Sequence, residues 1–537
     1  MSLRIDYADT PVGAQESAVI SATAGQPFSC AEELKNAAVD IPWATLEPGG
    51  WPLDGSRRLI PDGSGKMGWW SYELSELDGG FAQPPTIVLT FPKPYSATGL
   101  TLSFCPAMEQ WCSQIQVLWY RGDTLLDQVL AYPDAAEWIL TRPVENFDRV
   151  ELRLLKTNIP RRFAKLRQVQ IGRIVSYFSN EIVSVQLLNE TDPSLCSLSV
   201  DTMTVEIRNR NGDPILPQKD QRFSLFRDDV QIASHYITGC ERQSRDNYKF
   251  KCQSAIGRLE DMFLGGMYNQ YPLETILQDV LEQFPFRIDS TFYGQTVTGY
   301  LPVCTRREAL QQIAIAVGAV VSTQGDGTIR LQPLELTSNG RFENKDIFTG
   351  AKLDREPQIT EVRLVYHNYV QSQDVDVLLN EEQIDGEKVF VSFSDPHYNY
   401  WATGGHITAS GTNWVTITAH DPVTLKAYKY QHTAVLRTKK NPFASAAEKG
   451  NVLSVEKATL INAQNADEIL ERLYLFSAFN NVLTQDAVIS QQYAGQIVES
   501  PAPWGPKIEG YITSMESEFT TNGHTAKVEI RGREVAE

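Results

Sequence analysis

Cysteine is scarce and odd in number. The seven residues (Cys30, Cys105, Cys112, Cys196, Cys240, Cys252 and Cys304) are scattered along the chain, which argues against a disulfide framework. Most are expected to be buried free thiols. Cys105 and Cys112 are close enough for a local pair, but two apolar positions near strand ends explain them as well. No apolar run approaches the ~18 residues of a membrane span, so no membrane segment is expected. The opening Met1-Ser2-Leu3-Arg4-Ile5-Asp6 also lacks the apolar core of a signal peptide, and synthesis and folding in the cytoplasm are the expectation. Basic side chains are outnumbered, 48 against 66 carboxylates, for a net charge of −18. A nucleic-acid-binding protein shows the reverse, a basic stripe. An acidic surface is compatible with DNA passing without being bound, although solubility is the plainer reason for the excess.

Motifs for covalent chemistry are missing too. His235, His367, His397, His406, His420, His432 and His524 are dispersed, with no His-x-x-x-His and no Cys-x-x-Cys, so no metal centre is expected. There is no Gly-x-Ser-x-Gly elbow, no Walker-type loop and no Gly-x-Gly-x-x-Gly after a strand. Asp326-Gly327 sits in a turn without the acids of a calcium loop. No catalytic residue and no cofactor are therefore assigned. Carboxylate pairs for glycoside hydrolysis depend on separation in space, so spacing along the chain does not address them.

What is present is β-sheet pattern around one mixed segment, Pro272 to Leu334. Pro272 suits a helix start, and Leu273, Ile276, Leu277, Val280, Leu281 and Phe284 follow at helical spacing before Pro285. Thr305 and Glu308 form a capping box for a second helix with Leu310, Ile313, Ala314 and Val317 buried, ended by Gly318. Strands at 319–323 and 328–331 turn through Gln324-Gly325-Asp326-Gly327. A module this small needs a larger sheet to cover its second face.

Residues 1–66 are rich in Gly, Pro, Ala and Ser, with a single helix candidate at Cys30–Ala38, and read as an extended arm that orders against a neighbour. Trp43 and Trp51 in this arm are candidate partner contacts. Short strands with polar turns over 67–171 predict a sandwich, most simply a jelly roll. An antiparallel meander follows over 172–265, then the α/β module at 266–335. Residues 336–537 hold further strands, a helix at about 465–479 and a β insertion at about 385–440. In that insertion His397 and His406 flank an aromatic loop containing Trp401, and Trp504 lies in the loop Pro501–Pro506; both tryptophans are candidate partner contacts.

Two stretches carry family likeness. Gly99-Leu100-Thr101-Leu102-Ser103-Phe104, the run Val117-Leu118-Trp119-Tyr120 and Asn146-Phe147-Asp148-Arg149-Val150 resemble galactose-binding-like (discoidin-type) domains. Because seven of the ten tryptophans precede residue 172 and indole stacks on sugar, this resemblance makes Trp69 and Trp70 candidate carbohydrate-binding residues, one of them exposed if the strand is extended. Further on come Asp228-Asp229-Val230-Gln231-Ile232-Ala233, Tyr248-Lys249-Phe250-Lys251-Cys252 and the Arg306-Arg307-Glu308-Ala309-Leu310 helix. With the closing Gly510-Tyr511-Ile512-Thr513 and Val528-Glu529-Ile530-Arg531, these are similar to the late-control-D-like baseplate hub family of tailed bacteriophages.

The resemblance spans residues 172–537. It implies a hub of two tail-tube-like β-barrels with insertions; with the small α/β module and the N-terminal jelly-roll sandwich read at 67–171, by which this chain departs from simpler hubs, the expected fold is mainly β. The resemblance also implies a homotrimer in the virion, at the tail baseplate. Its partners would be the tail tube, the distal tail protein, the tape-measure protein and receptor-binding or tip proteins, with roles in host attachment and genome ejection. An adhesin for host cell-wall glycan acting through the sandwich, and a tail-associated cell-wall hydrolase, are the alternatives.

Overall fold

The computed structural model describes residues 2–36, 38, 43–45, 47–50, 54–59, 67–194, 196–282, 284–334, 337–384, 388–441, 450–520 and 523–535. The protein is mainly β, as expected, and its centre is one thirteen-stranded sheet. Its first seven strands run in the spatial order Arg173–Phe178, Leu3–Asp9, Arg222–Arg227, Val230–Arg242, Asn247–Gln253, Thr202–Arg208 and Ile182–Glu190. They curl until Tyr177 on the first strand and Val185 on the seventh share one core with Tyr7, Phe223 and Phe250. The sheet continues without a break into Lys507–Thr520, Gly523–Val535, Asn481–Val488 and Lys352–Arg355, over a second core around Leu483, Val498, Ile512 and Ile530. Two barrels were expected. Here each half stays open among the described residues, and Ile182–Glu190 pairs with Lys507–Thr520 from Val185↔Phe519 to Glu190↔Ser514.

The N-terminal segment is not an arm. Leu3–Asp9 alternates buried and half-buried residues and lies between Arg173–Phe178 and Arg222–Arg227, hydrogen-bonded to both. The chain leaves the sheet after Asp9 and re-enters it at Arg173, so the sandwich is an insertion between two neighbouring strands. The crossing is tight: a Cβ on Gly172, whose φ is 90°, would stand 2.0 Å from the Asp9 carbonyl oxygen. Beside it the Asp9 carboxylate accepts from the hydroxyl of Thr98, from Gln221 at 3.1 Å and from Tyr7 at 3.4 Å, while Arg173 donates to Thr98 at 3.1 Å. Burial pushes the Asp9 carboxyl up in pKa.

Within the insertion, the sheet order is Gln168–Ile171, Thr86–Ser103, Glu137–Thr157, Cys112–Arg121 and Thr124–Ala131, with Val19–Ala22 also on Thr86–Ser103. A separate pair, Trp69–Leu74 with Phe163–Leu166, completes it. Leu34, from a short 3-10 turn at Ala31–Lys35 where a helix was expected, enters the same core as Trp69 and Trp119. Residues 47–50 are fastened by a buried ion pair, Lys165 Nζ to Glu47 Oε1 at 2.5 Å, with the ammonium 4.7 Å from the Trp70 ring and Glu47 also accepting from the Phe163 amide at 2.8 Å. None of the seven cysteines is in a disulfide; Cys105, Cys112 and Cys252 are buried, whereas Cys30 and Cys240 are exposed.

The α/β module forms as the pattern indicates. Helices Leu273–Leu281 and Arg306–Val317 share one core with Ile329 and Leu331. Thr305 caps the second, accepting from the Glu308 amide at 3.2 Å while Glu308 accepts from the Thr305 amide at 2.8 Å. The Gly318 φ of 77° ends that helix. The helix Ala466–Phe476 then docks on its C-terminal carbonyls: Asn465 donates to Ala316 O at 3.1 Å and Arg472 to Ile315 O at 3.0 Å.

Two outcomes are expected. Residues 10–171 produced alone should melt cooperatively, while 67–171, which lacks Val19–Ala22, Leu34 and Glu47, should melt at clearly lower temperature or not fold; circular dichroism decides this. Glu47→Ala should destabilise the sandwich by about 3–5 kcal/mol in denaturant titration, because it leaves the Lys165 ammonium buried without its counter-ion.

Candidate interaction surface

Proteins that work by docking expose apolar and aromatic groups where nothing of their own covers them. The longest such place is an antiparallel ribbon of Glu361–Glu382, 22 residues, and Trp414–Lys440, 27 residues. At strand rise it reaches about 70 Å. The expected insertion at 385–440 thus begins earlier, at Glu361. The segment read as an aromatic loop is itself a strand, His397–Ser410, on the outer side of Trp414–Lys440.

Period two sorts the side chains by face. At the root, His367 is buried, with Nδ1 at 2.9 Å from His432 Nε2 and Nε2 at 3.0 Å from the Glu456 carbonyl. Tyr369 stacks on His432 at 4.6 Å, and Tyr300 of the module meets Tyr369 at 5.4 Å. Farther out, Tyr398 meets Tyr430 at 5.2 Å and Tyr428 at 5.6 Å, and Trp401 meets Tyr428 at 5.3 Å. Tyr398 is held by its hydroxyl on Ser372 O at 2.8 Å. Between these groups Val375, Val377 and Leu436 are about half exposed. The far end has a core of its own, around Leu379, Ile417, Val423 and Leu425. There His397 is buried and clamped between Asp376 Oδ2 at 3.2 Å and the Asp395 carbonyl at 2.9 Å. Beyond Tyr430 the ribbon gains His397–Ser410 as a third strand, and its aromatic and apolar side chains stay partly in water, a surface suited to a partner.

The tryptophans singled out from sequence divide. Trp69 and Trp70 are both buried, which removes them as a sugar platform. The pair with Phe163–Leu166 turns Trp69 into the sandwich core, while Trp70 on the opposite face is roofed by Trp43 and Met67. Trp43 is accordingly buried within its own chain and is no partner contact. Trp51 lies outside the described residues. Trp401 is 38% exposed on the ribbon, and Trp504 is 82% exposed between the strands Ile497–Ser500 and Lys507–Thr520. Sequence reasoning placed Tyr398 in the aromatic loop and noted His432 only as one of the dispersed histidines; it missed Tyr369, Tyr428 and Tyr430. The alternation Tyr428-Lys429-Tyr430-Gln431-His432 was the available signal.

No protein-family model matches the chain, and no curated protein matches it. It is similar to solved phage tail proteins. The 43 kDa tail protein of prophage MuSo2 from Shewanella oneidensis has 10% identity over 67% of this chain and 95% of that one, at a TM-score of 0.41. Prophage tail protein gp18 from Listeria monocytogenes has 10% identity over 67% and 92%, at 0.39. A family 32 carbohydrate-binding module of C. perfringens NanJ, solved with galactose, has 11% identity over 32% and 99%, at 0.20.

The ribbon root carries a pH dependence. Burial, and then the neighbouring His432, hold the His367 imidazole below its usual pKa. The unfolded chain therefore takes up this proton first as pH falls. The stabilisation is full above the ordinary value of about 6.5 and is lost on descending through the lowered one. Between pH ~7 and ~5, amide exchange over 361–369 and 430–438, corrected for intrinsic rates, should rise relative to the sandwich. His367→Gln should remove that difference.

Proposed function

We propose that the chain is a structural subunit of a phage or phage-derived tail baseplate, a trimeric hub at the distal end of the tail tube. It joins tube and distal tail ring to tip or receptor-binding proteins and opens for DNA passage. The observation that carries the reading is the thirteen-stranded sheet: two curled halves in tandem, ending on the free edges Arg173–Phe178 and Lys352–Arg355 among the described residues. The six-residue edge Arg173–Phe178 is covered when copies meet head to tail, and a head-to-tail contact that closes makes a ring. Ile174 and Phe178 point from the first edge strand at 48% and 54% exposure, as an interface residue does before assembly. The sequence likeness over 172–537 supports the same reading. The ribbon 361–440 stands off the sheet and supplies the contact to tip components, with Trp401 on its aromatic face and Trp504 a separate contact. The work is interface exchange, without covalent chemistry. Glycan binding by the sandwich lacks support once Trp69 and Trp70 are buried.

Electron microscopy of the purified protein tests this. A threefold ring with an axial opening of about 20 Å, wide enough for duplex DNA, is the expected image. Ile174→Lys with Phe178→Lys should abolish the ring while leaving the melting temperature nearly unchanged. A ring that survives the double variant, or single particles at every concentration with and without tube-side partners, would overturn the proposal.

A further inference from the structure

The buried ion pair of the sandwich has a third member. Lys165 Nζ lies 2.5 Å from Glu47 Oε1 and also meets the side-chain oxygen of Gln110, and all three residues are at most 5% exposed. The Lys165 nitrogen is walled by the rings of Trp70 at 4.7 Å and Phe163 at 5.9 Å. Each member is held in place by its surroundings. Lys165 sits on the strand Phe163–Leu166 opposite Trp70, and Gln110 exchanges backbone hydrogen bonds with Cys105 at 3.0 and 3.2 Å. Glu47 accepts from the Thr45 hydroxyl at 2.7 Å and from the Phe163 amide at 2.8 Å. An amine, an amide carbonyl and a carboxylate therefore converge where water is excluded. Burial, opposed by Glu47, lowers the Lys165 pKa and so favours the uncharged amine, which is the nucleophilic form.

We propose that Lys165 and Gln110 join in an isopeptide bond, formed within the folded chain with Glu47 as the proton carrier. Lys165 first passes a proton to Glu47, leaving a neutral amine beside a neutral carboxylic acid, since burying two charges costs more than burying two neutral groups. The lone pair of Nζ then bonds to Gln110 Cδ, and the carbonyl π electrons move onto Oε1. Glu47 gives its proton to Nε2 and takes another from Nζ; the carbonyl re-forms, the Cδ–Nε2 bond breaks and ammonia leaves. The products are a secondary amide, ammonia and a protonated Glu47, so atoms and charge balance with no oxidant and no cofactor. Lysine and glutamine side chains free in water do not meet in this way. Here the fold holds the three groups in contact, which removes the entropic cost of bringing them together. The bond ties positions 55 apart and restrains the unfolded chain as a disulfide does, in a protein that has no disulfide. It needs no partner and does not depend on the hub reading.

Mass spectrometry of the full chain tests the bond. The intact protein, unfolded and reduced, should weigh one ammonia less than its sequence requires, and trypsin should leave Lys165 uncleaved in a branched peptide that carries Gln110. Lys165→Arg and Glu47→Gln should each restore the full mass. The parent chain decides by itself, whether or not a variant folds: full sequence mass with cleavage after Lys165 would overturn the proposal. A deficit that persists in Lys165→Arg arises elsewhere in the chain and would overturn it as well. A branched peptide that still forms in Glu47→Gln would overturn the part assigned to Glu47.

Discussion

The structure hangs on one ladder, between Ile182–Glu190 and Lys507–Thr520. It joins residues more than three hundred positions apart and turns two open half-sheets into one. Without it, each half would present a long unpaired edge in its interior as well as at its rim, and each unpaired backbone group taken from water costs free energy. The contact is set side chain by side chain: Phe519 opposite Val185 joins the first core, and Met515 on the same strand belongs to the second. A one-residue slip would turn both to the wrong face.

With that seam in place, the other parts are insertions or attachments whose ends lie close together. The sandwich leaves and returns at Asp9 and Arg173, where only glycine fits at position 172. The ribbon leaves and returns at Glu361 and Lys440, which face each other across the ladder. The helix Ala466–Phe476 seats the α/β module against the ribbon root through Asn465 and Arg472. Close ends allow an insertion to grow without disturbing its host sheet, and they also transmit orientation, since two chain crossings resist rotation better than one. At the sandwich junction the buried Asp9 network adds directional hydrogen bonds to that stiffness.

Surfaces follow from the same logic. The interior ladder uses up its own edges, and what remains uncovered is the two rims of the large sheet, the outer strand of the sandwich and the face of the ribbon. The rim Arg173–Phe178, the sandwich strand and the ribbon expose aliphatic or aromatic groups there, whereas the rim Lys352–Arg355 exposes Lys352, Asp354 and Arg355. The acidic excess gives the chain a net charge of −18, and repulsion between like-charged copies opposes non-specific association through those uncovered faces.

Local signals were legible from the chain. The capping box at Thr305, the stop at Gly318, the hairpin closing near Pro333 and the mainly β character follow from side-chain type and spacing, because they depend on neighbours within a few residues. What lay beyond reach depends on distant strands. Alternation in Leu3-Arg4-Ile5-Asp6-Tyr7 is a strand signal, yet seven residues before a stretch of loop-like composition carry no mark of their partners, and so read as an arm. Tryptophan type alone led to a sugar platform at Trp69 and Trp70. Which face a tryptophan shows, and what roofs it, was decided by Phe163–Leu166, Trp43 and Lys165, all brought in by tertiary packing. Composition and short-range periodicity determined which elements form; long-range pairing alone decided which edges and aromatic faces stay in water, because exposure belongs to the assembled sheet and not to any one strand.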